Sequence, residues 1–211
     1  MARVILLALL AVAAVAPGNC ATSQRLTLFL DYQNPPPPRV LAALKSEVER
    51  LVAPAPGSVD WKPIQENRGK GGSVRIAVIR FDGRCEPLTA AQTEQPPRRW
   101  VLGSTLVSGG RVLPFMSIEC DRVRTFLSTH PLEVGDQAYG RALGQVIAHE
   151  LYHILLGTGR HSLRGLSKSA HSPRELGRVT NDFDPEVRRR IVAALRPSEP
   201  TQVRLTNATS P

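Results

Sequence analysis

Val146-Ile147-Ala148-His149-Glu150-Leu151-Tyr152-His153-Ile154-Leu155-Leu156-Gly157 is the stretch on which the reading of this chain turns. Side chains four residues apart stack on one face of a helix, so a helical conformation puts both imidazoles in reach of one metal ion. Val146, Ile147, Leu151, Ile154 and Leu155 supply an apolar side for burial against a sheet. The helix is expected within Val134 to Leu156, beginning near Gly135 or Asp136. Gly157 is a natural C-cap, because glycine accepts the positive φ that reverses a chain.

The chemistry follows from the spacing. His-Glu-x-x-His on a helix supplies two zinc ligands, His149 and His153, with Glu150 placed to take a proton from a water activated by the metal and pass it to a leaving amine. A hydrolytic zinc site takes three protein ligands and keeps one position open. A reversal at Gly157 would carry His161 back toward the metal as the third ligand. Glu175 and His171 are the alternatives, Glu175 on a following helix that Ser172 would cap with Pro173 in its first turn. Tyr152, Arg160 and Lys168 are candidate stabilisers of the negative oxygen formed during hydrolysis.

Upstream, Leu26 to Asp31 suits a first strand, and Pro35 to Pro38 stiffen the connection to a helix over Arg39 to Val52. Val59 to Ile64 reads as a short strand, and Val74 to Phe81, rich in β-branched residues, as the strongest one. Asn67 to Gly72 and Glu86 to Arg99 read as loops. Trp100 to Val107 and Arg111 to Ile118 form two arms of a hairpin around Ser108-Gly109-Gly110. Pro114 lacks a donor, which places the second arm at a sheet edge. There it is either a plain protected edge or a rail for an extended peptide substrate. A short helix is expected over Asp121 to Leu127 and a last one over Pro185 to Leu195, with Asp184 as its cap.

The chain resembles the zincin metallopeptidases, and within them the metzincin branch, through His149-Glu150-x-x-His153, the strand-rich region before it and the glycine turn leading to His161. The resemblance implies an α+β fold, with a twisted mixed sheet whose antiparallel edge strand lines a cleft above the active-site helix. It also implies Zn2+ on His149, His153 and His161, with Glu150 as the base. Third-ligand spacing is a variant here, because Gly157 and His161 stand one and two residues later than the branch's usual pattern. The two methionines are Met1 and Met116, so none follows the motif, where the branch has a methionine turn.

Residues 1–21 read as a signal peptide. Arg3 is followed by the 13 apolar residues Val4 to Ala16, which as a helix reach only about 20 Å and do not span a bilayer. Cys20 is a candidate lipid-anchor site. The expected organisation is that leader, a metallopeptidase domain over 22–196 and a C-terminal tail over 197–211, secreted or in the periplasm or cell envelope. Cys85 and Cys120 can form a disulfide or stand as two buried thiols, and two cysteines cannot build a four-thiolate site. The net charge of +9 is spread along the chain without the repeated aromatics of a base-stacking platform, which argues against a nucleic-acid partner. No later stretch is apolar enough to be a transmembrane segment. The expected activity is zinc-dependent endopeptidase action on a peptide or protein. The alternatives are a non-catalytic zinc-containing envelope module and a zinc amidase acting on peptidoglycan.

Overall fold

In the computed structural model, residues 25–66, 75–87, 100–130 and 134–196 are described. The leader 1–21, Cys20, the tail 197–211, the loop Asn67 to Gly72 and most of Glu86 to Arg99 lie outside these residues.

Five strands, β1 (Leu26–Asp31), β2 (Val59–Pro63), β3 (Arg75–Asp82), β4 (Gly103–Ser108) and β5 (Arg111–Glu119), form one sheet in the order β2-β1-β3-β5-β4. All neighbours are parallel except β4 and β5, which are antiparallel. Registry pairs Leu30 with Ile79 and Ile79 with Met116, and Phe81 with Ile118. These side chains are buried together with Leu28 and Ala77. They share one core with Val40, Leu44, Val48 and Leu51 of α1 (Pro38–Val52) and Leu143, Ile147 and Leu151 of α3 (Asp136–Leu156). The α2 helix (Cys120–Ser128) follows β5 directly, and α4 (Pro185–Ala194) closes the domain with Asp184 accepting a bond from the Glu186 amide. Among the described residues no helix is long and apolar enough to cross a membrane.

α1 and α3 touch along their lengths because Gly140 leaves room for it. A Cβ there would lie 2.4 Å from the Val40 carbonyl oxygen. Below this contact, Gln145 is fully buried and fully bonded. It donates to Glu47 (2.9 Å) and the Arg178 carbonyl (2.6 Å), and accepts from the Gly177 amide (3.0 Å) and Asn181 (2.9 Å). The segment after the His149 to His153 motif is thereby fastened to α3.

The edge position differs from expectation. β5 is interior, between β3 and β4, and β4 is the edge strand. The missing amide hydrogen of Pro114 does not exclude an interior strand, because β5 pairs with β3 only from Phe115 onward. On the other side the β4–β5 register shifts between Thr105 and Val107, and Pro114 falls in that irregularity.

Cys85, after β3, and Cys120, at the start of α2, are joined in a disulfide with a Cα–Cα separation of 4.9 Å.

Candidate metal centre and cleft

His149 and His153 project from the last turns of α3, where four-residue spacing sets their rings side by side, Nε2 to Nε2 3.2 Å. Each ring is steered by a backbone carbonyl. His149 Nδ1 donates to Leu166 O and His153 Nδ1 to Thr158 O, both at 2.7 Å. A carbonyl only accepts, so Nδ1 carries the proton in both rings and both Nε2 lone pairs face one another. Burial lowers the pKa of both, that of His149 to about 4, so a ring proton does not relieve this meeting at neutral pH.

The third imidazole arrives by the glycine turn. Gly157 has φ +58°, and its amide bonds Ile154 O while the Thr158 amide bonds His153 O. These are the paired bonds of a Schellman C-cap. Thr158 therefore meets both the backbone and the ring of His153. Tyr152 then pins the loop, its hydroxyl donating to Arg160 O at 2.6 Å. His161 follows, its ring centroid 5.1 Å from that of His149 and 4.8 Å from that of His153. Ligand atoms of His149, His153 and His161 all lie within 4.8 Å of one another.

This donor set fits zinc. Tetrahedral Zn–N bonds of about 2.0–2.1 Å put neighbouring nitrogens about 3.3 Å apart, and the helix pair stands at 3.2 Å. The remaining side is open, because the three histidines line a cavity of about 520 Å³.

Glu150 lines the same cavity and is largely buried. Its Oε2 accepts from Thr105 Oγ1 of β4 at 2.7 Å. Burial pushes its carboxyl up to about 7, against the lowering effect of the Thr105 bond. Gly103, also on β4, faces it, and a Cβ there would lie 2.7 Å from Val146 Cγ1 and 3.1 Å from Glu150 Oε1.

The other candidates fall elsewhere. Glu175 is on a single turn rather than a helix, and it is engaged. It accepts from Lys168 at 2.5 Å and from the Ser172 amide at 2.8 Å, while its own amide bonds Ser172 Oγ in a capping box. Lys168 holds its carboxyl down at about 2. His171 borders the cleft, but its Nε2 donates to Leu166 O at 3.1 Å, the carbonyl that also receives His149. Neither joins the three-histidine cluster. Of the proposed oxyanion stabilisers only Lys168 lines the cleft. Tyr152 is buried with its hydroxyl spent on the loop, and Arg160 contributes its carbonyl to that bond.

Three contributors were not foreseen. Thr158 was findable, since a helix ending in glycine predicts a close contact between the residue after it and the last turn. Leu166 acts through a backbone atom seventeen residues from its partner, and Thr105 through a tertiary contact forty-five residues away. Spacing signals neither.

No family model and no curated protein matches the chain. Among solved structures it is similar to archaemetzincin from Methanopyrus kandleri, with 17% identity and a TM-score of 0.51, over 81% of this chain and 96% of that one. At that identity the likeness is one of fold. It agrees with the α+β, zincin-like arrangement of a mixed sheet, an antiparallel edge pair and two long helices.

Proposed function

We propose that this chain is a zinc-dependent endopeptidase acting on peptide or protein substrates. The observation that carries the reading is the convergence of His149, His153 and His161 at an open cleft that Glu150 also lines. A zinc site that serves structure alone usually has four protein ligands and no open face. That weighs against a purely structural role.

His149, His153 and His161 would hold the ion, the first two with their Nδ1 protons committed to carbonyls and Nε2 free. Zinc bound there would polarise a scissile carbonyl and make a water nucleophilic near neutral pH. Glu150 accepts that water's proton on its carboxylate and returns it to the departing amine. β4, the edge strand of the sheet among the described residues, lies along the cleft through Gly103, Ser104 and Thr105. An outer strand in that place suits an extended peptide held by main-chain hydrogen bonds.

Work outside the cytoplasm is part of the proposal. It rests on the leader-like residues 1–21 and on a disulfide, which persists in oxidising compartments.

The test is to purify the chain, measure zinc per molecule and assay a mixed peptide library. Glu150→Gln is expected to keep zinc and lose cleavage, and His161→Ala to lose both. A wild-type protein without stoichiometric zinc overturns the reading.

A further inference from the structure

We infer that Thr105 is a positioning residue for Glu150, its hydroxyl fixing the carboxylate in the orientation that proton transfer needs. The inference rests on the proposed role of Glu150 and adds to it the part played by the edge strand.

Glutamate has three rotatable bonds, and a base helps only when its oxygen is held at the right place. Three features hold this one. Thr105 Oγ1 donates to Oε2 at 2.7 Å and also lies 3.3 Å from the Glu150 carbonyl, so one hydroxyl spans both ends of the residue. Gly103, two residues earlier on the same face of β4, leaves the space into which Oε1 and Cγ fit. Val146, one turn back on α3, closes the third side, because its Cγ1 also abuts Gly103. The carboxylate is thus seated against β4, with Oε2 bonded to Thr105 and Oε1 beside Gly103.

The strand geometry suits this use. Ser104 and Thr105 alternate faces, Ser104 exposed and Thr105 half-buried toward α3. The register shift begins immediately after Thr105. Its extra residues lie on β5, where Leu113, Pro114 and Phe115 stand opposite Leu106, so β4 keeps its regular alternation through Gly103 and Thr105.

Thr105→Val keeps the branched shape and removes the hydroxyl, and Thr105→Ser keeps the hydroxyl. In the zinc-loaded protein the Val variant is expected to lose kcat by about tenfold to a hundredfold, with KM and zinc stoichiometry unchanged, while Ser recovers most of the loss. A readout independent of turnover is the unfolding midpoint of the zinc-free protein. Thr105→Val should lower it in the wild-type background and lower it less when Glu150 is already Ala. A Val variant as active as wild type overturns the role, as does a Ser variant as impaired as Val, a loss confined to KM, or equal midpoint shifts in both backgrounds. A wild type that binds zinc and cleaves no peptide instead overturns the endopeptidase reading, and the positioning role falls with it.

Discussion

His149 of α3 and Leu166 of the 3-10 turn Gly165–Ser167 are joined by a 2.7 Å bond from Nδ1 to the carbonyl oxygen, which orients the imidazole from outside the helix that carries it. Leu166 is itself held, its amide bonding Asp182 O at 2.9 Å. The three-histidine cluster is therefore braced by the segment leading into α4. Imidazoles held this way resist rotation and keep the tautomer with Nε2 unprotonated.

Zinc should stabilise the folded protein. At about a hundredfold excess over the dissociation constant the gain is about 2.7 kcal/mol, or about 5–10 °C in unfolding midpoint for a domain of this size. Calorimetry with added zinc and with a chelator reads it. His161→Ala should abolish the shift, and a full shift in that variant would remove His161 from the ligand set.

Tyr152→Phe deletes only the hydroxyl that holds Arg160 O beside His161. Stability should fall by about 1 kcal/mol, and zinc affinity by about tenfold. Competition with a coloured chelator measures the second. An unchanged affinity would show that the loop holds His161 without this bond.

Gly157 carries a positive φ with no atom near its absent Cβ, so substitution there meets conformational cost alone. Gly157→Ala should cost about 1–2 kcal/mol by denaturant unfolding. Gly157→Asn should cost less, since asparagine visits this region more readily. Equal losses would contradict the account.

Much of this region could be read from sequence because its determinants are local. The periodic apolar residues of α3, the histidine spacing and the closing glycine all lie within one stretch. Edge status was not local. Whether β4 or β5 borders the sheet depends on which of them β3 accepts, and Pro114, the one local clue, fits an interior strand through the register shift. Glu175 shows the same limit. Ser172-Pro173 reads as a helix start, yet the chain makes one turn there, and Glu175 answers to Ser172 and Lys168 instead of a metal.

Gln145→Leu removes four hydrogen bonds at once, leaving the Gly177 amide, the Arg178 carbonyl and Asn181 without that partner while Glu47 keeps its two bonds from Arg50. Each orphaned buried group costs about 1–3 kcal/mol. The variant should lose about 1–3 kcal/mol, and amide exchange should be fastest around residues 177–182. A mild loss would show that water replaces the amide.

Glu175 gives the pH dependence a sign. Its folded pKa, about 2, lies below its unfolded value, mainly through the Lys168 hydrogen bond. Its contribution is thus fully present above the unfolded value near 4.5 and is lost as pH falls toward 2. Both side chains are partly solvated, 28% for Lys168 and 39% for Glu175. Screening therefore keeps the contribution to about 1 kcal/mol or less. Glu175→Gln should flatten the acid limb of stability against pH, and an unaltered limb would assign that slope to other carboxylates.

The Cys85–Cys120 bond has a consequence for the lifetime of the protein. It closes a loop of 35 residues that contains the whole of β4 and β5. By chain-entropy reasoning, such closure is worth about 4 kcal/mol. It also means that a backbone cut anywhere between the two cysteines leaves one covalent molecule, still carrying the strand that seats Glu150. Damage of that kind would appear as two fragments only after reduction, so an intact band on a non-reducing gel is no proof of an uncut chain.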